Sequence, residues 1–593
     1  MTVEPAGNAR RVERRSLTGA EAIVGTLEAF GIEVMFGLCG HTNLAVLHAL
    51  EKSSIRFVGV RHEQVATHAA DGYFRAVHKP AAVLTTIGPG LTNALTGIGD
   101  AAMDCAAMVV VAGDVPSYLT GKDAFQELNL HGDAQQLDVA APLVKRAWRI
   151  AHRDMLAHDI ARACNFAVTG SPGPVLLDVP LDFFSERRTE AIPDVTRRMA
   201  HGYRVPAAQE QIVAAAQLLA ASDHPVIYTG GGAVLSDAQA EITEIAEYLG
   251  APVISTLTGQ GAIAQDHPLY AGYTATVGTP VAHELVKTAD VILVLGSELG
   301  EMETSSFSAF DVPPAKLIQV DIAAVQIGKN YPVEIGIQAD VRTCADQLMR
   351  YLKETAPPIE WQTSARFTQW RSKADAWNAD IAASAASDEQ PVVVERLLRD
   401  LRTAVPRDGI FLTDVGIRHQ VAQQFPVYAP MTHYVGSGWG TMGGAVAAAI
   451  GAKIARPDRV VVAEVGDGAF SSVLSAVVTA VEYGLGIVWV VMNNYGYSSI
   501  SVYQAKHDLG SLGTAFRGLD GSPYNPDFAK FAEACGARGR MIAHPADLLP
   551  ALQEAIASGE PWVLDVHTEP APRTRASGYW DVNDVLEGVR FTK

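Results

Sequence analysis

"RVVVAEVGDGAFSSVLSAVVTAVEYGLGIVWVVMNN", residues 459–494, holds the pattern that decides the fold. "RVVVAEV" and "GIVWVVM" are apolar runs of strand length without polar alternation, the mark of a strand buried on both faces in a parallel sheet covered by helices. Between them, "AFSSVLSAVVTAVEYG" sets Leu474, Val477, Val478 and Val481 at helical spacing before Gly484 stops the helix. The triplet Gly466-Asp467-Gly468 therefore falls on a strand-to-helix turn at the carboxyl edge of the sheet. The next strand ends in Asn493-Asn494 at that same edge, because one helix and one strand separate Asp467 from Asn494.

Working outward, the same alternation recurs three times. The chain has 593 residues, 48% of them hydrophobic, enough for three domains that each bury a core. Residues 1–15 read as a polar tail. Thr18 and Glu21 then form a capping box, which makes a helix the first expected ordered element. Strand runs at "IRFVGV", "AAVLTTIG", "AMVVVAGD" and "GPVLLDVP" define an α/β domain over 16–190. A second α/β domain spans 205–355, with a Gly-rich turn after its first strand at "HPVIYTGGGAV". Residues 356–388 read as a linker with a helix, 389–570 as the third α/β domain, and 571–593 as a tail or lid.

Net charge is −19, which argues against a nucleic-acid partner, since such binders carry a basic excess. The five cysteines form no CxxC pair, so neither a disulfide framework nor a zinc site is indicated, and a reducing cytoplasm is expected. No apolar run reaches bilayer-spanning length, and the basic N-terminus lacks an apolar signal segment. No membrane partner is expected.

Alone, Gly-Asp-Gly reads as a turn or helix cap as readily as a metal site. Backbone N–H groups at such a turn attract phosphate, yet an aspartate there would repel it. A divalent cation resolves the conflict, because Mg²⁺ takes a few protein oxygens together with phosphate oxygens. Asp467, the Asn494 side chain and the Gly496 carbonyl supply such oxygens.

This constellation closely resembles the signature of the thiamine diphosphate enzymes, a GDG followed by an asparagine pair. Other stretches are similar to the acetolactate synthase-like branch in the same order: "VGVRHEQVATHAADGYFRA", "IGPGLTNALTGIGDAAMD", "DAFQEL", "DVGIRHQ" and "GSGWGTMGGAVAAAIGA". The resemblance implies pyrimidine-binding, central and diphosphate-binding α/β domains, each with a mainly parallel sheet, and the cofactors thiamine diphosphate and Mg²⁺. It implies that Glu63 hydrogen-bonds the aminopyrimidine ring as a proton relay and that Met442 wedges beneath the cofactor. Gly416, His419, Gly440, Gly466, Gly468, Ala469 and Tyr497 would line the diphosphate side. It also implies a homodimer or homotetramer whose sites close between subunits, and a small carbonyl compound as substrate.

The departures bear on the reaction. His41, in "FGLCGHTN", stands where acetolactate synthases have small residues, and a histidine there can shuttle protons. Gln126 is a neutral donor for a substrate oxygen. "YGYSSISVYQAKHDLG" lacks the acceptor-selecting tryptophan, and "GSELGEMETSSFSAF" lacks the arginine and paired aspartates of a flavin segment, which speaks against FAD. Three readings stay open: a carboligase or lyase of 2-oxo or 2-hydroxy carbonyl compounds; a decarboxylase or C–C hydrolase using His41, with as its variant a 2-hydroxyacyl-CoA lyase whose central domain holds a nucleotide and whose Arg573, Arg575, Tyr579 and Trp580 form a lid; and a cofactor-binding paralogue that has lost catalysis and serves as an assembly partner. Intact Glu63, Asp467 and Asn494 argue against a catalytically dead paralogue.

Overall fold

The computed structural model describes residues 14–131, 136–192, 204–570, 578–580 and 582. Three six-stranded sheets, parallel throughout and flanked by helices, form three α/β domains. The apolar runs of the sequence are their strands, and Ala81–Thr85, Met108–Asp114 and Ile487–Asn493 are buried along their whole length. The N-terminal sheet lies in one compact unit, and the central and C-terminal sheets share the other.

Numbering the strands in chain order within each domain, the N-terminal and C-terminal sheets have the same spatial order, 2-1-3-4-6-5. The central sheet runs 3-2-1-4-5-6. In each sheet the chain, after its opening strands, crosses back over the first strand and grows the other way, and there the connections leave to opposite sides and open a crevice beyond the strand ends. In the C-terminal sheet that place lies between Ile410–Thr413 and Val461–Gly466, and in the N-terminal sheet between Val34–Gly37 and Ala81–Thr85.

The C-terminal core packs Phe411 on Phe425, with stacked rings 3.9 Å apart. Burying each such side chain contributes about 1.5–3 kcal/mol. Trp489 is fully buried and donates its indole N–H to the Val446 carbonyl at 3.1 Å, so the helix Gly444–Ala455 is tied to the sheet.

Two local expectations change. The first described element is a strand, Arg15–Thr18, which pairs antiparallel with Arg187–Glu190, and the helix Gly19–Ala29 follows it. The strand is too short for a period-2 signal and its partner lies at the far end of the domain. The capping box is formed, with Thr18 Oγ1 accepting from Glu21 N at 3.1 Å and Glu21 Oε2 from Thr18 N at 2.8 Å. The helix after Gly466 is broken into Asp467–Ser472 and Ser475–Glu482. Ser471 and Ser472 turn their hydroxyls onto the carbonyls of Asp467 and Ala469, and such back-bonding bends helices.

The stretch between the second and third domains carries the helix Ala365–Ala385, whose Trp370, with Trp361 before it, is buried in the central core. Arg573 and Arg575 lie outside the described residues.

Candidate functional site

In the C-terminal domain, strand Val461–Gly466 pairs with Ile487–Asn493 so that Gly466 stands beside Met492. This register brings Asp467 against the turn after Asn493. Asp467 is 1% exposed. Its Oδ2 accepts from Asn494 N and Gly496 N, both at 3.2 Å, and from Asn525 Nδ2 at 2.7 Å, while Oδ1 accepts from Gly468 N at 2.7 Å. Burial raises the carboxyl's pKa against the opposing pull of these donors. Tyr495, in the left-handed region at φ 61°, turns the backbone so that the amides on either side of it both reach that oxygen.

Two observations fit a cation and a phosphorylated cofactor at this turn. Asn494 Oδ1 is buried with no hydrogen-bond partner among the described residues. An amide oxygen left so costs about 1–3 kcal/mol, which a cation would recover. Gly416 and Gly466 both face open space, where a Cβ would meet no atom within 4 Å. Gly468 has the opposite reason to be glycine: a Cβ would come within 2.4 Å of the Tyr497 ring, itself braced edge-on by Phe516. Ala469 is buried behind it.

Met442 is 42% exposed on the segment before helix Gly444–Ala455, so it is not a core methionine. Gly440 and Gly443 flank it at φ 69° and 85°. Asp414, which the sequence reading passed over, anchors the segment: its Oδ2 accepts from Gly443 N at 3.0 Å and Ala445 N at 3.2 Å. Next to it Glu464 is fully buried and accepts from Thr413 Oγ1 at 2.6 Å. Burial, with the charge of Asp414, pushes the Glu464 carboxyl up to about 8, and burial pushes Asp414 up to about 6. His419 turns toward the central domain, where the Tyr273 hydroxyl stands 3.4 Å from its Nδ1. Desolvation and Arg418 lower its pKa to about 3, so the imidazole is neutral.

In the N-terminal domain, Glu63 opens the helix Glu63–Val77 and is 4% exposed. Its Oε2 accepts from Asn93 Nδ2 at 3.1 Å, and its Oε1 faces Gly90, where a Cβ would stand 3.3 Å away. His41 is exposed on the loop after Val34–Gly37, its ring 5.6 Å from that of Phe125. The loop is rigid at its base: Asn43 accepts from Gly40 N at 2.9 Å, and the hydroxyls of Thr42 and Thr86 meet at 2.9 Å. Gln126 follows Phe125 in the left-handed region at φ 66°. It borders a cavity of about 300 Å³ that Gly88, Pro89, Thr92 and Gln136 also line. Gln136 holds this wall, accepting from Gly88 N at 3.2 Å and donating to Asp178 at 2.6 Å. The structure thus sets His41 against Phe125, the residue before Gln126.

The residues missed in the sequence are Asn93, Asp414 and Asn525. Asn93 and Asp414 lie inside motifs already singled out, and Asn525 carried only the turn signal of an Asn-Pro pair.

In the central domain, a Cβ at Gly230 would stand 2.2 Å from the Gly296 carbonyl. Those glycines serve the close approach of two strand-end loops.

Three parallel-sheet domains, with a buried carboxylate beyond the strand ends of the first and of the third, define an α/β protein of three similar layers. Models of the thiamine pyrophosphate enzymes match in order: the N-terminal TPP binding domain at residues 17–137, the central domain at 212–348 and the C-terminal TPP binding domain at 414–566. The chain belongs to the thiamine pyrophosphate enzyme family. It is similar to the probable acetolactate synthase large subunits of Methanococcus aeolicus, 31% identical, and Methanocaldococcus jannaschii, 32% identical, each over 94% of this chain and 92% of the relative. It is also similar to the acetolactate synthase large subunit of Corynebacterium glutamicum, 33% identical over 93% of this chain and 87% of the relative. No helix among the described residues is long and apolar enough to cross a membrane.

Proposed function

We propose that the chain is a thiamine diphosphate- and Mg²⁺-dependent enzyme that makes or breaks C–C bonds next to a carbonyl, acting as a carboligase or lyase on small 2-oxo or 2-hydroxy compounds. The observation that carries the reading is the buried Asn494 Oδ1 beside Asp467, which has no hydrogen-bond partner among the described residues. The names of the relatives support carboligation.

When bound, thiamine diphosphate supplies the electron sink that lets a bond to a carbonyl carbon form or break. Asp467, Asn494 and the Gly496 carbonyl would hold the cation, and the turns at Gly416 and Gly466 leave room for phosphate. Met442, fixed between its two glycines, stands where the cofactor is supported, while His419, Gly440, Ala469 and Tyr497 border that space. Glu63, steadied by Asn93, takes and returns a proton at its carboxylate. Gln126 donates its amide to a substrate oxygen. Each site closes between two copies of the chain in a homodimer or homotetramer. Support for this comes from the family resemblance and from the exposed Phe125 and Leu130 on the Gln126 loop, 77% and 87% accessible, which a second copy would cover. A cytoplasmic setting agrees with the five free cysteines.

The exposure of His41 beside Phe125 favours a second reading, a decarboxylase or C–C hydrolase in which His41 moves a proton at its imidazole. Incubating the protein with 2-oxo acids and cyclic diketones, with Mg²⁺ and with chelator, tests both. Carboligation predicts carbon dioxide and a longer hydroxy-ketone product from a 2-oxo acid, only with Mg²⁺. The second reading predicts a free aldehyde or an opened ring instead, with turnover falling about tenfold or more in His41→Ala. Turnover of neither class sinks both readings.

A further inference from the structure

Strand Ile487–Asn493 runs into two consecutive asparagines, and the structure gives them opposite orientations. Asn494 leaves its Oδ1 without a hydrogen-bond partner among the described residues. Asn493 is 3% exposed and fully engaged: its Nδ2 donates to Asp565 Oδ1 at 2.9 Å, and its Oδ1 accepts from Asn525 Nδ2 at 2.7 Å. The same Asn525 nitrogen donates to Asp467 Oδ2 at 2.7 Å.

The direction of every link is dictated by chemistry. An ionised Asp565 only accepts, so the NH₂ of Asn493 must face it and the oxygen of Asn493 must face the other way. That oxygen in turn draws the NH₂ of Asn525, and the two hydrogens of one amide nitrogen then serve two acceptors, Asn493 and Asp467. Asp565 is itself fixed, lying buried on strand Trp562–His567 and accepting from Phe528 N at 3.3 Å.

We infer that Asn525 is a positioning residue of the metal site, whose amide pins Asp467 Oδ2 so that Asp467 Oδ1 and Asn494 Oδ1 are the oxygens presented to a divalent cation. Among the described residues Asp467 Oδ2 accepts from Asn494 N, Gly496 N and Asn525 Nδ2, whereas Oδ1 accepts from Gly468 N. Without Asn525 the carboxylate keeps its backbone donors but loses the shortest bond to Oδ2, the one made by a side chain among the described residues. The first asparagine of the pair, on this account, serves Asp467 through Asn525. The inference rests on the reading of Asp467 and Asn494 as metal ligands.

Calorimetric titration of Mg²⁺, and separately of Mn²⁺, into the full-length protein with thiamine diphosphate held in excess tests it. In Asn525→Ser, whose hydroxyl falls short of Asp467, the half-saturating Mg²⁺ concentration should rise about 10- to 100-fold, the loss typical when a partner of a metal ligand is removed. Thiamine diphosphate affinity at saturating Mg²⁺ should return to within about twofold of wild type, a split that a general loss of structure would not give. Asn493→Ser releases the relay one link earlier and should weaken Mg²⁺ binding in the same direction, which keeps the test open if Asn525→Ser does not fold. Unchanged Mg²⁺ half-saturation in a folded variant, with the wild type metal-dependent, overturns the role of Asn525 alone. Cofactor binding by the wild type that is indifferent to chelation overturns the metal reading, and this inference with it.

Discussion

The N-terminal and C-terminal domains share a strand order and a reversal point, yet their edge carboxylates live in different surroundings. Asp467 accepts four hydrogen bonds, three of them from backbone amides, and cannot turn. Among the described residues the Glu63 carboxylate accepts one, from Asn93, and its Oε1 faces Gly90. The first arrangement suits the cation-holding role proposed for Asp467. The second leaves the acid proposed as a relay with few donors around it. One topology thus supplies a crevice twice, and the donors around the acid, rather than the sheet, decide what the acid does.

Swapping out each acid breaks the comparison in a different way. The largest effect is expected from Asp467→Ala, which should abolish Mg²⁺-dependent retention of thiamine diphosphate on gel filtration; a variant that still co-elutes with cofactor would mean the fixed charge holds no cation. Next comes Glu63→Gln. Exchange of the bound cofactor's C2 proton for deuterium, followed by NMR, should slow about 10²- to 10⁴-fold while cofactor affinity stays near wild type. Should Glu63→Gln instead lose the cofactor, the two acids would not differ in kind.

The smallest effect concerns Glu464, the second buried acid of the C-terminal edge. Its folded pKa is raised to about 8, so between the ordinary glutamate range and that value the folded chain holds a proton that the unfolded chain has released. Stability contributed by this proton falls as pH rises through that window, by at most about 1.4 kcal/mol per pH unit. Glu464→Gln removes the ionisation, and its thermal midpoint should gain on the wild type between pH 6 and pH 9. A constant difference across that range would show that the carboxyl does not titrate there.

What the sequence revealed follows from the same physics. Asp467 and Asn494 were readable because a strand, a helix and a strand have fixed rises, so spacing along the chain becomes proximity at the sheet edge. Glu63 was readable because its motif opens a helix directly after a strand. Asn525 was not, since it reaches Asp467 from an irregular segment 58 positions away that carries no periodicity to place it. The strand Arg15–Thr18 was hidden for a similar reason: four residues paired with Arg187–Glu190 leave no local trace. The break after Ser472 lay beyond reach because a helical pattern of apolar residues is the same whether or not its serines bend the backbone. Gln126 and His41 were legible one at a time, but the ring of Phe125 against His41 was not.

The contact between Gly468 and the Tyr497 ring bears on how this chain can diverge. With only 2.4 Å between a Cβ at 468 and that ring, any single substitution there meets the tyrosine, and a smaller residue at 497 alone opens a gap beside Phe516. The two positions are therefore locked to each other across the cofactor edge. Drift at either one must wait for the other, so libraries that vary them jointly should hold functional pairs that no stepwise route through single replacements would reach.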